Sequence, residues 1–235
     1  MFCFPESLTA AHGFKMAAWV KMNTWFKTGT GLNSTILLVL LFLPALALGQ
    51  QEYCSITPQH TLCNLPETGP GCDGTIETKG IDEEDITIIV DTHNKIRAKV
   101  ANGEEGNQPP ASNMKRMEWD EELAKVAQRW ANQCSLNSGQ PHDCNQCRAV
   151  SRFPVGQNAL YSAASVAQKF DFVQRIQGMA TDEIPLVTPS QLEQFYSNAA
   201  GHYTQIVWAD TCKVGCGLTA VKGNGYSYFI ICNYR

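Results

Sequence analysis

The chain has 235 residues, and its 18 basic and 22 acidic residues give a net charge of −4. This length is sufficient for one domain with a stable core. An acidic balance without a run of lysine or arginine excludes nucleic acid and an anionic membrane surface as obvious partners.

Residues 1–49 have the pattern of a signal peptide with a long n-region. An apolar run of 13 residues from Ile36 to Leu48 follows three lysines, and the small residues Ala47 and Gly49 predict cleavage after Gly49. A membrane anchor is the alternative, but it would need about 20 apolar residues. After cleavage, 15 basic and 21 acidic residues remain. We therefore expect a secreted, extracellular protein without an integral membrane segment.

Residues 50–80 are rich in Cys, Pro, Gly and Thr and show no sustained period, which predicts an irregular N-terminal arm held by disulfides. Nine cysteines follow the predicted cleavage point. A secreted chain this rich in cysteine is normally disulfide-bonded. Because nine is odd, at least one thiol is free, bonds to another chain, or lacks a partner that lay beyond Arg235.

Three helices are predicted after the arm. The first begins at the acidic residues that follow Asp82 and ends at Gly103. The second has Asp120 as its N-cap, and a third covers Ser165 to Glu183. One face of the second helix carries Leu123, Val126, Ala127, Trp130 and Cys134. We expect its cysteine to bond to the arm.

The C-terminal part is predicted to form a β-hairpin. Alternating residues run from Lys213 to Ala220 and from Tyr226 to Asn233, and the sequence KGNG lies between them. Cys216 and Cys232 lie in opposite arms of this hairpin, so a disulfide between them is sterically reasonable.

Four short strings occur in order along the chain: HNKIR at 93–97, GQN at 156–158, GHYTQIVW at 201–208 and CNY at 232–234. Together they resemble the signature set of the CAP superfamily, which includes venom antigen five, cysteine-rich secretory and plant pathogenesis-related proteins. The resemblance covers residues 81–235 and is greatest to the arthropod venom antigen five branch. It implies an α+β fold, an α-β-α sandwich with a small antiparallel sheet, stapled by disulfides.

The resemblance also implies a disulfide pattern, which is Cys54 with Cys63, Cys72 with Cys134, and Cys216 with Cys232. It leaves Cys144, Cys147 and Cys212 unresolved. The family continues after the string CNY, so we expect that this chain is truncated at its C-terminus. The cysteine-rich C-terminal module of the ion-channel-blocking members is not found before Arg235.

The family's central cleft holds two histidines and two acids, and the matching residues here are His142, Gln157, Glu183 and His202. We expect these four to form a ligand-binding site, with His142 and His202 as ligands for zinc or a similar divalent ion. Gln157 replaces an acid, so cation affinity should be weaker. The alternative is that both histidines are structural. HNKIR is interpreted as a polar packing device rather than as a catalytic group.

The leading hypothesis is a non-enzymatic protein of venom, saliva or haemolymph that binds a small apolar ligand, such as a sterol or fatty acid, or an extracellular protein target. No cofactor is required, and a monomer is expected. One alternative is a metal-dependent hydrolase that uses His142, Glu183 and His202. Another is a toxin-like partner binder that acts on ion channels or immunity. No serine or thiol nucleophile has a convincing base, which favours the absence of enzymatic activity.

Overall fold

The computed structural model describes residues 52–106, 108–136, 139–150, 153–188 and 200–235. The predicted signal peptide lies outside these residues. The described elements are, in chain order, α1 (Thr61–Asn64), β1 (Thr75–Lys79), α2 (Glu83–Ala101), β2 (Glu118–Trp119), α3 (Glu121–Ala131), β3 (Gly156–Ala164), α4 (Phe172–Glu183), a 3₁₀ turn (Ile184–Leu186), α5 (Gly201–Ile206), β4 (Lys213–Lys222) and β5 (Tyr226–Tyr234).

Helix α2 begins where the acidic residues predict it. The Asp82 side chain accepts a hydrogen bond from the Asp85 backbone N–H, and all of the first three helical residues are acidic. Negative charge at this end is favourable because the helix dipole is positive there. One face of α2 is buried and mixes apolar with polar side chains, namely Ile89, His93, Arg97 and Val100.

Helix α3 packs directly against the sheet. Asp120 caps its N-terminus by accepting hydrogen bonds from the Glu122 and Leu123 backbone N–H groups. Gly215 and Gly217 on β4 touch the α3 backbone so closely that a Cβ at either position would collide with main-chain atoms. These two glycines therefore set the distance between helix and sheet.

The sheet has the strand order β1-β4-β5-β3, with antiparallel pairing along this path, and β2 pairs with β4 in parallel. The predicted hairpin is confirmed, since Cys216 lies opposite Cys232 in the β4–β5 register. On one sheet face, Leu218 and Ile230 belong to the core cluster that includes residues of α2, α4 and α5. On the other, Ile231 packs with Trp130 of α3. The predicted α-β-α sandwich is therefore confirmed.

Two expectations about local structure are wrong. The third predicted helix begins at Phe172 rather than Ser165, because Asp171 supplies the cap by accepting from the Gln174 N–H. The preceding segment is held instead by the sheet, where Tyr228 Oη hydrogen-bonds both the N–H and the carbonyl of Gln168. The arm is also not wholly irregular, since it contributes α1 and the edge strand β1.

Four disulfides are present among the described residues. Three are the expected pairs, Cys54–Cys63, Cys72–Cys134 and Cys216–Cys232. The fourth joins Cys144 to Cys147, two of the residues whose pairing the sequence left open. No cysteine in the described part of the chain is free. Among the same residues, no helix is both long enough and apolar enough to cross a membrane.

Candidate functional site

The four strings meet in one buried hydrogen-bond network. Asn158 donates from Nδ2 to the His202 carbonyl oxygen (3.2 Å) and to the Tyr234 hydroxyl oxygen (3.3 Å). Tyr234 Oη lies 3.0 Å from His93 Nε2, and His93 Nδ1 lies 2.8 Å from the Ile89 carbonyl. Because only an N–H can bond to that carbonyl, Nδ1 carries a proton, and in the neutral ring Nε2 therefore accepts from the Tyr234 hydroxyl.

Burial controls the ionisation of this network. The pKa of His93 is lowered from 6.5 to about 4, mainly by burial. The hydrogen bond to the Ile89 carbonyl opposes this shift, and the nearby charge of Arg97 adds to it. Burial also raises the pKa of Tyr234. Both side chains are therefore neutral at physiological pH, and they act as hydrogen-bonding parts of the core rather than as acids or bases.

Arg97 ties helix α2 to the segment after α5. Its guanidinium and Nε donate to carbonyl oxygens of Lys115, Ile206, Trp208, Ala209 and Thr211. The side chain is almost completely buried, and burial lowers its pKa to about 10, so it stays charged. Because these acceptors are all backbone carbonyls, Arg97 orders the chain at Lys115 and from Ile206 to Thr211, which includes the end of the string GHYTQIVW. The interpretation of HNKIR as a packing device agrees with this geometry.

All four predicted site residues line one open cleft of about 570 Å³, which we call the central cleft. Its lining comes from the loop before β3, from β3 itself, from the end of α4 and from α5. The lining residues are His142, Asn145, Arg148, Pro154, Val155, Gly156, Gln157, Asn158, Glu183, Gly201, His202 and Gln205.

On one side of the cleft, His142 is held by Gln157. His142 Nδ1 donates to Gln157 Oε1 (2.9 Å), and Gln157 Nε2 donates to Asp143 Oδ1 and to Asn233 Oδ1, each at 3.0 Å. The Gln157 amide thus accepts one hydrogen bond and donates two, whereas an ionised carboxylate could only accept. Gln157 is suited to a site where an acid, Asp143, already stands 3.0 Å away.

On the other side, Glu183 binds His202 and the start of α5. Glu183 Oε1 accepts from His202 Nδ1 (2.6 Å), and Oε2 accepts from the Tyr203 backbone N–H (2.8 Å). His202 Nε2 lies 3.3 Å from the Ala159 carbonyl oxygen. Both carboxylate oxygens and both ring nitrogens therefore have partners within the protein.

The side chains that line the central cleft could supply only some of the ligands that a divalent ion needs. Within the described residues, no three His, Cys, Asp or Glu side chains come together as a metal cluster. A cation at the cleft would bind His142 through Nε2, because Nδ1 already donates to Gln157, and would have to separate His202 or Glu183 from its partners.

Sequence reasoning missed Asp143 and Arg148. Asp143 is buried and accepts from Thr61 Oγ1 (2.6 Å), from Arg148 Nη1 (3.0 Å) and from Gln157. Arg148 is buried as well and donates to the Asp143 and Val155 carbonyls. Both residues lie in a loop whose sequence has no regular hydrophobic pattern. The available sequence signal was an acidic residue next to His142, and a single acid is weak evidence for a site.

A second concavity of about 550 Å³, which we call the apolar groove, lies between β4, β5 and the start of α2. Its apolar lining is Ile81, Phe170, Leu218, Ala220 and Tyr228. The polar lining is Thr78, Lys79, Gly80, Asp82, Asp85, Gln168 and Lys169. None of these residues belongs to the four strings.

Comparisons with known proteins agree with this arrangement. The model of the CAP, or cysteine-rich secretory protein, family matches residues 90–234. Venom allergen 5 of Dolichovespula arenaria is 37% identical over 195 residues, which is 78% of this chain and 92% of the allergen. The solved structure of Schistosoma mansoni venom allergen-like protein 4 is 25% identical, with a TM-score of 0.51, and the match covers 66% of this chain and 88% of that one. The structure of NaASP2 with Zn²⁺ is 26% identical, with a TM-score of 0.50 and coverage of 66% and 80%.

Proposed function

Because the chain belongs to the CAP family of cysteine-rich secretory proteins, we propose that it is a secreted, non-enzymatic binding protein whose ligand is a small, uncharged apolar molecule such as a sterol. The observation that carries this proposal is the apolar groove. Its volume lies within the range of about 300–1,000 Å³ that is usual for small-molecule sites. Secretion is supported by the disulfides and by the predicted signal peptide.

The groove combines an apolar floor with a few polar groups at its rim, as ligand sites commonly do. Phe170, Leu218 and Tyr228 form its floor and are almost fully buried, so they hold a fixed shape. Ile81, at the mouth, is partly exposed. A rigid apolar ligand would cover Ile81 and the small part of the floor that is still in contact with water, and removal of apolar surface from water favours binding.

Charge at the rim favours an uncharged ligand over a fatty-acid carboxylate. Lys169 Nζ forms ion pairs with Asp85 (3.1 Å) and Glu84 (3.4 Å), and Asp82 adds a further acid. The second lysine, Lys79, interacts with Glu67. The cations at the rim are thus already paired with acids, and a ligand carboxylate would meet net negative charge there.

The test is equilibrium binding of radiolabelled cholesterol and of palmitate to the folded secreted chain. We expect saturable cholesterol binding that is at least tenfold tighter than palmitate binding. Ile81→Arg should weaken it at least tenfold, because it places a charge at the mouth. Ile86→Arg is the matched control, since Ile86 is a partly exposed isoleucine in the first turn of α2 that does not line the groove. No saturable binding, or equal binding by the two variants, would contradict the proposal.

The absence of hydrolysis is proposed from the geometry of the central cleft. A general base must have a lone pair that can reach a water or substrate proton. Each oxygen of Glu183 already accepts a hydrogen bond from within the protein, which leaves it fewer lone pairs for such a proton, and Gln157 cannot act as a base. Peptide and ester substrates should remain intact with and without added zinc. Hydrolysis that disappears in His202→Ala would establish the hydrolase alternative instead.

A weak divalent-cation site at the central cleft is the second candidate function. The observation that favours it is that His142 and His202 line the same cleft, and one similar structure was solved with Zn²⁺. Calorimetric titration with zinc should give one weak site in the wild-type chain and none in the His142→Ala, His202→Ala double variant. Equal heat from both proteins would remove this candidate and leave the sterol proposal unaffected.

A further inference from the structure

Cys144, Asn145, Gln146 and Cys147 form a Cys-x-x-Cys disulfide at the edge of the central cleft, which we call the cleft-edge disulfide. The neighbouring side chains Asn145 and Arg148 line the cleft. Cys144 is the only cysteine among the described residues that is exposed. By contrast, Cys216 and Cys232 are buried within the sheet. The cleft-edge disulfide is therefore the one that a thiol from solvent would reach first.

The local backbone is arranged to stabilise a thiolate on Cys144. The Cys147 N–H points at Cys144 Sγ at 3.0 Å while it also bonds to the Cys144 carbonyl at 2.8 Å. A backbone N–H aimed at the first sulfur of a Cys-x-x-Cys sequence favours the charged form of that sulfur once the bond is reduced. The more exposed cysteine of the pair is thus also the one whose sulfur a backbone N–H would stabilise as a thiolate.

The surrounding fold does not depend on this sulfur–sulfur bond. The Asp143 side chain is held by hydrogen bonds from Thr61, Arg148 and Gln157, and the Cys147 carbonyl accepts from the Thr61 N–H at 2.7 Å. The cleft-edge disulfide spans three residues in sequence, whereas Cys72–Cys134 spans 62. A short loop restricts the unfolded chain least, so its opening costs the fold least.

We propose that the cleft-edge disulfide exchanges with the thiols of a dithiol-containing protein or peptide partner and is a reversible two-electron couple of the folded chain. A partner thiolate attacks Cys144 Sγ, which forms a mixed disulfide and releases Cys147 as a thiolate that takes up a proton. The second partner thiolate then attacks the partner sulfur of the mixed disulfide and releases Cys144. The partner loses two electrons and two protons, and the Cys-x-x-Cys pair gains them.

This inference is independent of sterol binding, which uses the apolar groove. Its first test uses the full secreted chain in glutathione buffers of graded ratio, with alkylation and peptide mass mapping. We expect Cys144 and Cys147 to be alkylated while Cys72–Cys134 and Cys216–Cys232 stay intact. Circular dichroism should not change, and oxidised glutathione should restore the bond. If Cys144–Cys147 is reduced only when Cys216–Cys232 is also reduced and ellipticity is lost, the proposal is overturned.

The second test follows the oxidation of a synthetic dithiol peptide. The wild-type chain should oxidise one equivalent, and Cys144→Ser with Cys147→Ser should oxidise none. When the peptide is supplied in its disulfide form instead, the free thiol of Cys147→Ser should attack it and form a mixed disulfide through Cys144, with release of one peptide thiol, at least tenfold faster than Cys144→Ser does through Cys147. Cys54→Ser with Cys63→Ser is the matched control and should still oxidise the peptide. Equal oxidation by the wild type and the Cys144, Cys147 double variant would contradict exchange at this site.

Discussion

The central cleft and the apolar groove enclose nearly the same volume, about 570 and 550 Å³, yet their linings differ in chemistry and in origin. The cleft is lined by side chains of the strings GQN and GHYTQIVW, and most of its polar atoms are bonded within the protein. The groove is built by the start of α2 and the faces of β4 and β5, outside every string. The most recognisable residues of the chain therefore order the scaffold, and the groove that we propose for an apolar ligand lies outside them.

The largest effect is expected at Arg97 of the string HNKIR. Arg97→Met should lower the free energy of unfolding by about 3–5 kcal/mol, because it leaves several buried carbonyls without their donor. Chemical denaturation with the disulfides intact measures the change. Arg116→Met is the matched control, because Arg116 is exposed, and it should change stability by less than about 0.5 kcal/mol. A similar small loss for Arg97→Met would mean that the network does not hold the scaffold.

A pH effect of about 3 kcal/mol is expected from His93. Its pKa is about 4 in the folded chain against 6.5 in the unfolded chain, because burial disfavours the charged ring. The unfolded state therefore binds a proton first as pH falls. The stability that depends on neutral His93 is present above pH 6.5 and is lost as pH falls towards 4, by about 1.4 kcal/mol per unit of pKa difference.

Denaturation curves between pH 7 and pH 4 check this expectation. His93→Gln keeps a polar side chain but does not titrate, so its stability should depend less on pH than that of the wild type. Some dependence will remain, because burial also lowers the pKa of His60. Identical pH profiles for His93→Gln and the wild type would contradict a buried neutral His93.

A smaller effect, about 1–2 kcal/mol, is expected from Gln157→Glu in the central cleft. The new carboxylate would stand about 3 Å from Asp143, and the hydrogen bonds to Asp143 and Asn233 would be lost. Gln205→Glu is the matched control, because it adds the same charge to the cleft lining without a recorded contact to Asp143. If Gln157→Glu is no less stable than the control, the amide is not matched to Asp143.

Much of the fold could be predicted because its signals are local. The acidic N-caps Asp82 and Asp120 mark where α2 and α3 begin. The KGNG turn marks where the chain reverses between the two strands of the hairpin. Strands β1 and β3 were missed because each is defined by its partner: β1 is short and largely exposed, and β3 pairs with β5 along its full length. The start of α4 was misplaced because Tyr228, 60 residues away, holds Gln168 outside the helix.

The candidate site was predicted only through resemblance. The four residues His142, Gln157, Glu183 and His202 do line one cleft, but no spacing in the chain could show that Gln157 contacts Asp143 or that Glu183 caps α5. The residues that line the apolar groove could not be predicted from the sequence, because Ile81, Phe170 and Leu218 come from three distant segments. Their sequence pattern is that of ordinary core residues.

The most direct test of sterol binding in the apolar groove is amide hydrogen exchange with and without cholesterol. We expect slower exchange on binding in peptides from residues 78–82, 168–170 and 218–228, which contain the residues that line the groove. Exchange in residues 142–148 and 201–206, at the central cleft, should stay unchanged. Protection that is confined to the cleft peptides would contradict sterol binding in the groove, because it would place the ligand at the central cleft.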